Sequence, residues 1–98
     1  MKRLLIVGAG GHGRSVAEAV LASGQYGLAG FVDDSAPTLQ QVWEWPVFGP
    51  VSALAQYRAQ AEAAIVAIGN NRVREALQGR LLELGFELAT VVHPSAIV

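Results

Sequence analysis

The sequence predicts a parallel α/β sheet with helices on both faces, folded as one domain, and three features carry that prediction. The run Leu4-Leu5-Ile6-Val7 reads as a buried strand that stops on a glycine. Glycines then fall at Gly-x-Gly-x-x-Gly spacing (Gly8, Gly10, Gly13), and an amphipathic helix follows at once, with Val16, Ala17, Val20 and Leu21 at helical spacing. Strand-like and helix-like segments then alternate to the end of a chain of 98 residues, a length that allows one domain.

The elements follow in order. The first strand is expected over Arg3–Gly8 and the first helix over Gly13–Ser23, closed by Gly24 in a left-handed cap. Leu28–Val32 reads as the second strand, ended by Asp33-Asp34. Ser35–Pro46 shows no clear period and contains Pro37 and Pro46, so it reads as a loop or lid. Its Trp43 and Trp45 are costly to leave in water and are expected to pack against the domain. Val47-Phe48-Gly49 reads as a brief third strand. Pro50 suits the first turn of a helix over Ser52–Ala61. Ala64–Ile68 is a buried fourth strand ending on Gly69. Asn70 or Asn71 can cap a third helix that buries Val73, Leu77, Leu81 and Leu84 and ends at Gly85. Leu88–Val92 reads as the last strand, stopped by His93-Pro94. Right-handed crossovers leave few topologies, and the expected one is a Rossmann-like sheet of order 3-2-1-4-5.

Bulk composition excludes several functions. Apolar residues make up 52% and charged residues only 15%, against a usual charged share of about 25%. A small domain this poor in charge often hides surface against a neighbour. The net charge of −1 and the lack of a basic block argue against nucleic acid. The absence of cysteine removes disulfides and thiolate metal ligands, and two histidines 80 residues or so apart make no recognisable metal set. No apolar run reaches the ~20 residues of a membrane span, and the amino terminus is too short in apolar residues for a secretory signal. A cytoplasmic location is the simplest expectation.

In such sheets ligands bind beyond the carboxyl ends of the strands, where strand order reverses, here between the first and fourth strands. Two loops face that crevice, Gly8–Gly13 and Gly69–Asn71. In the first, Gly8 would permit the tight turn, Gly10 a close ligand approach, and Gly13 close packing of helix on strand, while the helix amino terminus favours phosphate. Gly11 lies in the same loop. His12 either donates to a phosphate or substrate group or faces solvent. Asp33 lies 20 residues after Gly13, where a carboxylate can accept from ribose hydroxyls; the other reading of Asp33 and Asp34 is an Asx turn closing a strand. Asn70 and Asn71 either cap the third helix or bond to a base or sugar. No residue reads as an activated nucleophile, so no catalytic residue is assigned.

Taken together, Val7-Gly8-Ala9-Gly10-Gly11-His12-Gly13, Gly30-Phe31-Val32-Asp33-Asp34, Ile65–Arg74 with its Ile68-Gly69-Asn70-Asn71 corner, and Val91-Val92-His93-Pro94-Ser95-Ala96 resemble one group. It is the amino-terminal domain of bacterial sugar O- and N-acyltransferases, including the NeuD-type sialic acid O-acetyltransferases and the PglD-type UDP-N-acetylbacillosamine N-acetyltransferases. The resemblance implies a domain, over residues 1–94, that binds a nucleotide-sugar acceptor, usually a UDP-sugar. It implies phosphate contacts from Gly10, Gly11, His12 and Gly13, base or ribose contacts from Asp33 and Asp34, and a pocket wall from Gly69, Asn70 and Asn71. It further implies a following left-handed β-helix that forms homotrimers, holds acetyl-CoA and carries the basic histidine. Residues 95–98 resemble the first coil of that β-helix. The repeats and their histidine are not in this sequence, so the chain alone is expected to bind acceptor without turnover and to be monomeric or weakly self-associating. The competing expectations are a NAD-binding domain, using the same glycines and Asp33, and a ligand-free assembly module.

Overall fold

Consecutive apolar residues need cover on both sides, and Leu4, Leu5, Ile6 and Val7 are all fully buried. The computed structural model, which describes residues 1–36 and 38–89, places them in β1 (Arg3–Val7), one of the two inner strands of a four-stranded parallel sheet. Its partners are β2 (Gly27–Val32) on one side and β5 (Ala63–Val66) on the other, with β6 (Glu87–Leu88) beyond β5. Leu4 lies opposite Leu28 and Ala63, and Val7 opposite Val32 and Val66. Alternation divides the core in two. Leu4 and Ile6 face one side, with Ala17, Val20 and Phe31; Leu5 and Val7 face the other, with Leu54, Leu81 and Phe86. Helix α1 (Gly11–Ser23) supplies the first layer and α2 (Asn71–Glu83) the second, so both faces carry a helix as expected.

The predicted sheet order is found, with its edge member much reduced. Val47 makes a single parallel bridge to Phe31, extended by Phe48 N–H to Phe31 O (2.8 Å) and Asp33 N–H to Gly49 O (3.0 Å). The segment before it corrects the expectation of an irregular loop. Gln41–Val42 (β3) and Trp45–Pro46 (β4) form a small antiparallel hairpin, with Val42 opposite Trp45. A two-residue turn joins them, and Trp43 takes φ 54° there, a conformation rare for a non-glycine residue. Only Trp45 packs as expected, on the α1 side of the core. Trp43 is 45% exposed and meets Trp45 edge to face at 6.3 Å between centroids.

Other expectations also shift. The helix foreseen over Ser52–Ala61 is a 3₁₀ segment, Val51–Tyr57, kinked at Ala53. Both ends are tied: Val51 N–H donates to Asp34 Oδ1 (2.9 Å) and the Tyr57 hydroxyl to Phe48 O (3.3 Å). Ala53 takes φ −100° and ψ 16°, outside helical geometry, so the segment is two short turns rather than one continuous helix. Helix α1 starts at Gly11 rather than Gly13, so His12 and Gly13 lie in its first turn, and it closes on Gly24 at φ 68° as foreseen. Leu21 and Val73, assigned to apolar stripes, are exposed, whereas Leu81 is fully buried and Leu77 and Leu84 are partly so. Leu21 lies to one side of the stripe through Gly13, Ala17 and Val20, and Val73 lies in the first turn of α2. Among the described residues no helix is long and apolar enough to cross a membrane. The last strand is seen at Glu87–Leu88; the rest of Leu88–Val92 past Ala89, His93-Pro94 and the supposed first β-helix coil at 95–98 lie outside the described residues, as does Pro37.

Candidate functional site

Strands β1 and β5 are neighbours, yet α1 leads from β1 to β2 and α2 leads from β5 to β6. Their amino termini therefore open at the same end of the sheet, on either side of the predicted switch point.

The β1–α1 corner is built from close backbone approaches. Gly8 has φ 117°, and its N–H continues the ladder to Val32 O at 2.8 Å. A Cβ there would stand 2.7 Å from Ala67 O, at the end of β5. Gly13 is buried against the same corner: its Cβ would lie 2.7 Å from the Gly8 carbonyl carbon and closer still to the oxygen. The first and third glycines thus let strand and helix meet. Gly10 and Gly11 differ from them. Both are exposed, and among the described residues a Cβ on either would meet nothing within 4 Å. Gly10 is the N-cap residue, and no side chain caps α1. His12 and Arg14 are exposed in that first turn.

On the other side, Gly69 is also exposed, and no described residue comes within 4 Å of where its Cβ would stand. Asn70 caps α2, its Oδ1 accepting from Val73 N–H at 3.1 Å, which is one of the two readings of that residue. Asn71 Oδ1 accepts from the Arg74 guanidinium. Neither helix has an acidic residue in its first turn, where carboxylates are normally favoured; instead Arg14 stands in one and Arg72 and Arg74 in the other.

The two aspartates beside the corner already have partners. Asp33 Oδ2 accepts from Ala9 N–H at 2.7 Å, and Oδ1 accepts from Ser35 N–H (2.8 Å) and Ser35 Oγ–H (2.5 Å). Partial burial alone would raise the carboxyl pKa. The bonds from the Ser35 hydroxyl, the Ser35 amide and the Ala9 amide outweigh it and hold the group below its ordinary value. Asp34 Oδ1 takes the Val51 amide. The Asx turn weighed from sequence is therefore present, but the bond to Ala9, 24 residues away, has no local signature. Ser35 carries no catalytic motif; its place two residues after an aspartate is the signal that identifies it.

Comparison with known proteins identifies the family and the fold. The PglD N-terminal domain family matches residues 3–81. UDP-N-acetylbacillosamine N-acetyltransferase of Bacillus subtilis (strain 168) is 38% identical over 100 residues, covering all of this chain and 46% of that protein. A mutant of perosamine N-acetyltransferase from Caulobacter crescentus, solved with CoA and GDP-perosamine, superposes with a TM-score of 0.84 at 36% identity, over 97% of this chain and 44% of its own. The acetyltransferase domain of PglB from Neisseria gonorrhoeae FA1090, in complex with acetyl coenzyme A, gives 0.80 at 38% identity, over 95% and 44%. This chain spans less than half the length of each of them. With the family matched over most of its residues and its fold shared, the chain belongs to the PglD N-terminal domain family, the amino-terminal domain of sugar N-acetyltransferases.

Proposed function

We propose that this domain seats the nucleoside diphosphate of a nucleotide-sugar, the acceptor in an acetyl-CoA-dependent N- or O-acetyl transfer. The observation that carries the reading is the pair of helix amino termini at adjacent strand ends, flanked by open glycines and by arginines with no acidic residue in either first turn. Cations there oppose the helix dipoles, and an anion between them relieves that opposition. The amides of Gly10, Gly11, His12 and Gly13 face the diphosphate. Gly8 shapes the corner, Asp33 and Asp34 border the nucleoside, and Gly69, Asn70 and Asn71 form the opposite wall. The sugar then projects from the strand ends toward an acetyl-CoA site outside this chain, and the domain contributes by positioning. The Bacillus subtilis relative's name specifies a UDP-sugar and the Caulobacter crescentus structure holds GDP-perosamine; a UDP-sugar is the ligand proposed here. Homotrimer formation belongs, on this reading, to a following β-helix.

Calorimetric titration of the chain with UDP, a UDP-amino-sugar, GDP, a CMP-sugar, NAD and CoA tests this. Saturable heat from the nucleoside diphosphates and the UDP-amino-sugar is expected. Binding of NAD alone assigns the corner to a dinucleotide, and silence toward every ligand makes the domain an assembly module; either result overturns the reading.

A further inference from the structure

The place of Asp33 suggests a ribose ligand, but its bonding points to a different task. Every polar atom of the residue has a protein partner. Its N–H donates to Gly49 O (3.0 Å), and its carbonyl accepts from Ala36 N–H (3.1 Å). Oδ1 accepts twice from Ser35 and Oδ2 accepts from Ala9 N–H. Three of the roughly four lone-pair sites of the carboxylate are therefore occupied. Ala9 is 1% exposed, so its amide has no water to turn to and needs this acceptor. Ala9 also sits between the two backbone contacts that define the corner, Gly8 on Ala67 and Gly13 on Gly8. The bond thus spans from the loop after β2 to the loop after β1. Its geometry is held at one end by Ser35 and at the other by the packed glycines.

We propose that Asp33 and Ser35 are positioning residues for phosphate binding: Ser35 orients the Asp33 carboxylate, which fixes the Ala9 amide and so the path of the glycine loop, and Asp33 is not a ribose ligand. This rests on the nucleotide reading above and deepens it. Replacing Asp33 with Asn puts an NH₂ group against either the Ala9 amide or the Ser35 amide, two donors facing each other, so even this isosteric change breaks the link. Ser35→Ala removes one bond of three and leaves the carboxylate charged.

Two measurements test it. In the first, the Ala9 amide proton is followed by NMR against pH without ligand. It is expected to titrate with a carboxyl midpoint below the ordinary aspartate value. Ser35→Ala should raise that midpoint, Ser35→Thr should restore it, and Asp33→Asn should abolish the titration. An Ala9 amide that ignores pH, or a midpoint unmoved by Ser35→Ala, overturns the link. In the second, UDP, GDP and their 2′-deoxy and 3′-deoxy forms are titrated into wild type, Asp33→Asn and Ser35→Ala. Weakening of about tenfold by Asp33→Asn, the loss of about one hydrogen bond, is expected to be the same for the ribo and deoxy ligands. A deoxy penalty present in wild type and gone in Asp33→Asn makes Asp33 a ribose ligand and overturns the proposal, as does unchanged affinity in both variants. A wild-type chain that binds neither UDP nor GDP overturns the parent reading, while the Ala9 titration still judges the link itself.

Discussion

Gly13 offers the sharpest quantitative test of the corner. Adding one methyl group at this helical position should help: alanine is favoured over glycine within a helix by up to about 1 kcal/mol. The structure predicts the opposite sign. The new Cβ would stand 2.7 Å from the Gly8 carbonyl carbon, where carbon atoms rest at about 3.5–4.0 Å, so the start of α1 must retreat by about 1 Å. Gly8 cannot yield in turn, because it is bonded to Val32 O and lies against Ala67. Overpacking of this kind costs about 1–3 kcal/mol. With backbone on both sides the upper part of that range applies, and after the helical gain the net loss is about 2 kcal/mol. For a domain of this size each kcal/mol moves Tm by roughly 4–8 °C, so Gly13→Ala should melt roughly 8–16 °C below wild type by circular dichroism. Gly79→Ala, in the exposed middle of α2 with nothing within 4 Å of its Cβ, is the matched control and should melt a few degrees higher through the same propensity term. If Gly13→Ala melts at or above wild type while Gly79→Ala rises, strand and helix do not meet here and the argument for the loop fails.

Leu81→Ala empties a fully buried site on the α2 side of the core and should lower urea-unfolding stability by about 2–5 kcal/mol, whereas Leu82→Ala, 59% exposed, should change it by less than about 0.5 kcal/mol. Asn70→Ala removes the α2 cap and should cost about 1 kcal/mol in thermal or chemical melts. Asn70→Asp keeps the acceptor and suits the helix dipole, so it should retain stability; on the nucleotide reading its charge repels the diphosphate and weakens UDP binding in calorimetry. Asp33 has a lower pKa folded than unfolded, so its contribution to stability is complete above the unfolded value, near 3.9, and is lost as pH falls through the folded value. The stability gap between wild type and Asp33→Asn should therefore be constant near neutrality and close below about pH 4, as read from urea midpoints; a gap that widens in acid refutes the assigned direction.

Much of this protein was legible before any coordinates, because the deciding physics is local. Four consecutive apolar residues, Leu4–Val7, demand a strand covered on both faces, and alternation with helices then requires a parallel sheet. Glycines at positions 8, 10 and 13 mark a strand-to-helix corner through their spacing alone, and Asn70-Asn71 announces a cap for α2 because a cap is made with residues three positions on; the structure gives that place to Asn70. Interactions that join distant segments were decided by tertiary structure. Nothing local shows that the Asp33 carboxylate meets Ala9, or that Asp34 holds Val51 rather than standing free, because those partners lie 24 and 17 residues away and meet only when the sheet brings the loops together. The same holds for apolar residues at the edge of a stripe. Trp45 is half-buried while Trp43, two positions earlier, is left at the tip of a hairpin, and Leu21 and Val73 are exposed. Periodicity tells which residues can share a face, whereas the elements packed opposite decide which of them are taken out of water.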